Sequence, residues 1–143
     1  MNDSEHPTLE FDTPIRRFVT KRLIGVDKIV SIQDAVSKMV DFNISSMAVL
    51  EDDDVVGFFT DADIKERVVA RGLSCREPVK DIMTTDLITA DINSSIREVL
   101  EIMSKHGIKH ILVTEQGKTV GIITLRDLET MDRQKFETYI SRE

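Results

Sequence analysis

Gly57-Phe58-Phe59-Thr60-Asp61-Ala62-Asp63 returns 64 residues later as Gly121-Ile122-Ile123-Thr124-Leu125-Arg126-Asp127. Both stretches obey one pattern: glycine, two apolar residues, threonine, two variable positions, aspartate. Apolar residues ahead of Thr-x-x-Asp predict a strand that turns directly into a helix. Threonine stands at the N-cap, and an acidic residue three positions on can reach back to the backbone. The copy extends outward without a gap. Residues 14–64 align with 78–128, and fifteen of the 51 columns are identical, from Pro14/Pro78 through Ser31/Ser95 and Met39/Met103 to Asp63/Asp127. A fixed internal period of this kind marks one structural unit used twice. Two like units are expected to pack about a pseudo-two-fold axis, so that any cleft between them is built twice.

Ahead of each motif the apolar pattern is equally regular. Ile32, Ala35, Val36, Met39 and Val40 lie along one helical stripe, and Ile96, Val99, Leu100 and Met103 repeat it before a stop at His106-Gly107. Two strands follow in each copy. They are expected at 47–50 and 55–59 around an acidic turn, and at 110–114 and 119–123 around Gln116-Gly117. Leu23-Ile24 and Leu87-Ile88 read as short first strands. Thr13-Pro14 and Glu77-Pro78 read as the starts of short leading helices, with proline at the first helical position. Each repeat is therefore helix–strand–helix–strand–strand–helix, an α/β unit whose small sheet calls for a partner surface. The boundaries are a flexible N-terminal tail at 1–12, the first repeat at 13–70 and a linker at 71–77. The second repeat spans 78–132, and a C-terminal helix extension spans 133–143.

The 143 residues suffice to bury a core, and 41% apolar with 31% charged residues is ordinary for a soluble globular protein. A net charge of −7 argues against a general nucleic-acid or anionic-membrane surface. Cys75 is the single cysteine, so no internal disulfide is possible and a cytoplasmic, reducing location is the expectation. No apolar run has the length of a membrane span. His6, His106 and His110 lack metal-ligand spacing, and Gly117-Lys118-Thr119 lacks the earlier glycine of a phosphate loop, since that position is Leu112. With no nucleophile–base set, no metal cluster and no complete phosphate loop, the chain is not read as an enzyme.

The doubled Gly-h-h-Thr-x-x-Asp motif (h apolar), together with the helix stripe, the hairpin and Asp81-Ile82-Met83-Thr84, resembles the cystathionine-β-synthase (CBS) domain family. Two copies in tandem resemble the Bateman module, here standing alone, and the resemblance covers about residues 14–132. It implies a regulatory module that binds adenosine-containing ligands, AMP, ADP, ATP or S-adenosylmethionine, in the cleft between the repeats. No cofactor is required. Members of the family place the threonine on phosphate or ribose and the aspartate on the two ribose hydroxyls. First-strand and hairpin residues come from the opposite repeat. One site is then Thr60 and Asp63 with Ile88, Lys109, His110 and Leu112; the other is Thr124, Arg126 and Asp127 with Ile24, Ser45, Ser46 and Ala48. Many members carry proline where this chain has Ala48 and Leu112, and the larger Leu112 crowds the base position of its site. The resemblance also implies a homodimer and a separate effector protein.

The chemistry of these residues stands beside the resemblance. A carboxylate accepts two hydrogen bonds from a vicinal diol. A helix start offers amide N–H groups to phosphate. Ile24 and Ile88 could flank a flat base, and Lys109, His110 and Arg126 could pair with phosphate. Asp61 adds negative charge beside Thr60, whereas Arg126 adds positive charge beside Thr124, so the second site is expected to hold a phosphorylated ligand more tightly. The alternative assigns both Thr/Asp pairs to helix capping alone, in a ligand-free dimerisation or assembly module.

Overall fold

A computed structural model describes residues 11–19 and 23–129. The chain divides into two compact units. One is Leu23–Leu87, and the other joins the described residues before Leu23 to those from Ile88 onward.

The unit Leu23–Leu87 holds a three-stranded sheet in the order β1-β2-β3, formed by β1 (Gly25–Asp27), β2 (Ser46–Glu51) and β3 (Asp54–Thr60). β1 runs parallel to β2, and β2 and β3 form an antiparallel hairpin with a bulge at Val49/Leu50. The crossover from β1 to β2 is α1 (Ile32–Phe42). The Ser31 hydroxyl accepts from the Asp34 amide at its start, and Asn43 ends it in the left-handed conformation. The predicted stripe is the buried face: Ile32, Ala35 and Met39 pack with Val26, Met47, Val49, Phe59 and Val68. After β3 the chain makes one α-turn, α2 (Asp61–Asp63), and then a wider π-helix over Ile64–Val69. The sequence predicts an ordinary helix here. The observed bonds from Ala70 N–H to the Lys65 carbonyl and from Leu73 N–H to the Val68 carbonyl span five residues.

The other unit repeats this plan. β4 (Thr89–Asp91), β5 (His110–Glu115) and β6 (Lys118–Thr124) form a sheet in the same order with the bulge at Val113/Thr114, and α3 (Ile96–His106) is the crossover. Ser95 and Glu98 close a full capping box on α3, and Gly107 stops it at φ 62°. Residues 125–129 are helical; the expected extension to 133–143 lies outside the described residues.

Two expectations are corrected. The leading helices are short 3₁₀ turns, Ile15–Phe18 and Val79–Asp81, and Thr13 does not cap the first by its side chain. Pro14 and Pro78 stand before these turns with ψ 145° and 151°, extended rather than helical, and bridge to Ser95 and Ser31. The first strands begin two residues later than Leu23-Ile24 and Leu87-Ile88, because pairing in register with β2 and β5 starts at Gly25 and Thr89. Backbone carbonyls just ahead of Pro14 and Pro78 are bonded to helix starts. Phe11 and Thr13 carbonyls accept from the Arg97 and Ile96 amides, and Cys75 and Glu77 carbonyls accept from the Gln33 and Ile32 amides. These are the orphan donors that any helix N-terminus must satisfy. Ile15 and Phe18 accordingly belong to the core built on Ile92, Ile96, Val99, Ile111 and Ile123, whereas Val79 and Ile82 belong to the core of Leu23–Leu87.

The two hairpin turns are an internal experiment. Both have positive φ at their two central residues: 50° and 68° at Asp52-Asp53, 51° and 80° at Gln116-Gly117. Glycine takes this conformation without strain, while an L-residue resists it. Asp53→Gly is therefore expected to stabilise the protein by about 1 kcal/mol, less strain and fewer crowded carboxylates acting together. Thermal unfolding checks this, and a midpoint equal to or below the parent's would contradict it. At the edge of this turn Lys28 Nζ bonds Glu51 Oε2 at 2.9 Å, which holds the Lys28 ammonium above its ordinary pKa.

Candidate functional site

Strand pairing decides where each Thr-x-x-Asp motif sits. Thr60 is the last residue of β3 and lies opposite Ser46, the first of β2; Ala48 faces Phe58 and, on its other side, Gly25. The Ala48 amide also bonds the Ile24 carbonyl at 3.3 Å, and the Asp61 amide bonds the Ser45 carbonyl at 3.0 Å. Ile24, Ser45, Ser46, Ala48, Thr60 and Asp63 are thus collected at one end of one sheet. In the other unit Thr124 lies opposite His110, Leu112 opposite Ile122 and Thr89, and the Leu125 amide bonds the Lys109 carbonyl at 2.9 Å. Ile88, Lys109, His110, Leu112, Thr124, Arg126 and Asp127 occupy the matching end. Residues that the family resemblance divides between two clefts therefore share a unit.

Both motifs form caps. The Thr60 amide donates to Asp63 Oδ2 at 2.9 Å, and the Asp63 amide returns a bond to Thr60 Oγ1 at 3.4 Å. Thr124 and Asp127 reproduce the exchange at 3.1 and 3.0 Å. Capping does not exhaust the carboxylates, since an ionised Asp offers about four acceptor positions over two oxygens. In both cases the cap uses Oδ2; among the described residues Oδ1 of Asp127 has no bonded partner, and Oδ1 of Asp63 has only a long ion pair, to Arg67 at 3.6 Å.

The helix starts offer less to phosphate than expected. The amides of Asp61 and Leu125 are engaged by the Ser45 and Lys109 carbonyls, and those of Asp63 and Asp127 by the threonine hydroxyls. Of the first three amides in each motif, only those of Ala62 and Arg126 remain, so side chains supply most of the contacts to any anion. Arg126 and Lys109 are exposed, and His110 is half-buried. Ala48 and Leu112, proline positions in many members, are both buried, at 1% and 2% exposure.

The glycine of the motif also has a cause. A Cβ on Gly57 would stand 2.7 Å from Met83 Cγ and 3.0 Å from Met83 Cβ. Met83 is held there by its neighbour Thr84, which exchanges both backbone bonds with Phe58 on the outer edge of β3, at 3.0 and 2.8 Å.

Sequence reasoning missed Arg67. Its Nη1 donates to the Ile82 carbonyl at 2.7 Å, and its Nη2 stands 3.6 Å from Asp63 Oδ1. The signal was available: an acid and a cation four residues apart on a helix face one another. Among the described residues no group of three or more His, Cys, Asp or Glu is placed to hold a metal, and Cys75 is exposed.

The CBS domain model matches this sequence twice, over residues 15–70 and 79–130. The chain belongs to the CBS domain family. Both matched stretches contain the Thr-x-x-Asp motif and a paired hairpin, as the tandem resemblance expects. The Bacillus subtilis CBS domain-containing protein YhcV is 31% identical over 114 residues, which cover 80% of this chain and 81% of YhcV. A conserved protein of known structure from Pyrococcus horikoshii is 47% identical with a TM-score of 0.85, covering 87% of this chain and 96% of that one. The CBS domain pair of protein MJ0100, solved in complex with 5′-methylthioadenosine and S-adenosyl-L-methionine, is 26% identical with a TM-score of 0.77, covering 86% and 98%. Among the described residues no helix is long and apolar enough to cross a membrane.

Proposed function

We propose that this CBS pair is a regulatory module that binds an adenosine-containing ligand at the sheet ends bearing Thr60/Asp63 and Thr124/Asp127, and passes the signal to a separate effector protein. The observation that carries it is the geometry of the two aspartates. Each is fixed by a cap through Oδ2 at the end of a sheet. Asp63 Oδ1 faces Arg67 Nη2 only at 3.6 Å and Asp127 Oδ1 has no bonded partner among the described residues, so both can accept from a ribose diol. The ligands held by the MJ0100 pair, both adenosine derivatives, support the same chemistry for this chain. Differential binding to two arrangements of the module shifts their populations, which is how a domain without catalytic groups regulates another protein. A homodimer and a cytoplasmic location belong to the same proposal.

The sites differ in charge. Arg126 stands beside Thr124 where Ala62 stands beside Thr60, and Leu125 replaces Asp61. The Asp127 site is therefore the stronger one for a phosphorylated ligand such as AMP. Thermal unfolding with AMP, ATP, 5′-methylthioadenosine and S-adenosylmethionine tests both statements. A ligand at a hundred times its Kd raises the midpoint by several degrees. Asp127→Ala is expected to weaken AMP about tenfold or more, the value of a hydrogen bond to a charged group, and Asp63→Ala less. A greater loss from Asp63→Ala reverses the ranking. If no adenosine compound shifts the wild type while both variants simply melt lower, the Thr/Asp pairs are caps and the module serves assembly.

A further inference from the structure

Arg67 spans two groups that otherwise have no common partner. One is the Asp63 carboxylate, whose Oδ2 is committed to Thr60 and whose Oδ1 lies 3.6 Å from Arg67 Nη2. The other is the Ile82 carbonyl, 2.7 Å from Nη1. Ile82 opens the short stretch that closes the edge of β3: Met83 lies against Gly57, and Thr84 pairs with Phe58. A planar guanidinium can hold two acceptors in fixed relation, which a single ammonium on a flexible stem cannot do. The second repeat has no counterpart to this bridge in its sequence, because the residue 64 positions after Arg67 is Met131.

We infer that Arg67 is a positioning residue for Asp63 and couples occupancy of that carboxylate to the backbone of residues 82–84, making the first motif the signalling one of the two. The inference rests on the nucleotide-binding function proposed above. Its physical basis is the inequality of the two bonds. The contact to Ile82 is short and directed, whereas the separation from Asp63 is well beyond the 2.7–2.9 Å typical of a charge-assisted hydrogen bond. Oδ1 therefore retains capacity for ribose hydroxyls. Donors arriving there share the oxygen that Arg67 keeps in place, and the guanidinium transfers the change to the carbonyl it already holds. The Asp63 side chain is 19% exposed and that of Arg67 36%, so water screens the pair only in part.

The experiment uses the full chain carrying Asp127→Ala, so that AMP or 5′-methylthioadenosine reports on the first motif. Calorimetry gives affinity, and amide hydrogen exchange reports on Met83 and Thr84. Ligand is expected to change Thr84 exchange by threefold or more, about the smallest change that signifies an altered local opening. Arg67→Met should weaken binding about tenfold and abolish that exchange response. Arg67→Lys should recover part of the affinity through its charge but not the response. If Arg67→Met lowers only the melting midpoint, with affinity and exchange response kept, Arg67 is a structural strut and the inference fails. If no adenosine compound binds the parent, the proposed function fails, and positioning is read without ligand. Asp63→Asn should then accelerate Thr84 exchange as Arg67→Met does, and a Thr84 amide indifferent to Asp63→Asn overturns the positioning role as well.

Discussion

Replacing Ile15 by alanine, near the start of the first repeat, is expected to destabilise the core of the second by about 2–5 kcal/mol, the range for removing a fully buried aliphatic side chain. Ile15 is 0% exposed and packs among Ile92, Ile96, Val99, Ile111 and Ile123, which lie 77 to 108 residues away in the chain. Its amide is fixed to the Ser94 carbonyl at 2.8 Å, so the 3₁₀ turn cannot easily slide to refill the cavity. Val79 holds the equivalent place in the unit Leu23–Leu87, also 0% exposed, with its amide on the Val30 carbonyl at 2.9 Å. Hydrogen exchange distinguishes the structural unit from the sequence repeat. Ile15→Ala should reduce protection at Ile111, Val113 and Ile123 more than at Met47, Val49 and Phe59, and Val79→Ala should do the reverse. Loosening of Met47, Val49 and Phe59 by Ile15→Ala to an equal or greater degree would mean that the repeat, not the unit, is the cooperative element.

The exchange of leading segments was hidden in the sequence for a physical reason. Periodicity reports which face of an element is apolar, but not which core that face enters. Ile15 and Phe18 would read the same in either unit. The elements with strong local codes were legible: the stripes of α1 and α3, the hairpins, the stop at Gly107 and the Thr-x-x-Asp caps all depend on contacts within a few residues. The first strands were misplaced because only three residues pair in each, too few for alternation to set an edge. The left-handed Asp52 and Asp53 were visible only as an acidic turn, since aspartate tolerates positive φ without announcing it.

At the site, the residue types were legible and their connections were not. Thr60, Asp63, Thr124 and Asp127 are caps as spacing implies, but spacing could not show that Ser45 and Lys109 carbonyls take the first helix amides. The supply of N–H groups for phosphate shrinks accordingly, and Arg126, Lys109 and His110 gain weight as anion partners. Arg67 lies in the sequence at the interval that favours an ion pair with Asp63. Its longer reach to the Ile82 carbonyl depends on the chain returning along β3, which no local pattern encodes.

Gly57→Ala is expected to destabilise the unit Leu23–Leu87 by about 3 kcal/mol, the upper part of the usual overpacking range. A methyl group there meets Met83 at its Cβ, Cγ and sulfur together. The outer part of a methionine side chain can rotate aside, but its Cβ, 3.0 Å from the new methyl, moves only with the backbone. That backbone is pinned by the Thr84–Phe58 pair and by Arg67 on the Ile82 carbonyl. Relief therefore requires either a shift of β3 or loss of the 82–84 edge contact, which would leave strand donors and acceptors uncovered. Truncating the obstacle separates this from a general intolerance of alanine in the strand. In the double variant Gly57→Ala, Met83→Ala, the combined loss should fall at least about 1 kcal/mol short of the sum of the single losses, a coupling typical of residues in contact. Denaturant unfolding of the four proteins measures it. Strict additivity would mean that Met83 is not what requires glycine at the head of the motif, and that the requirement comes from the strand itself.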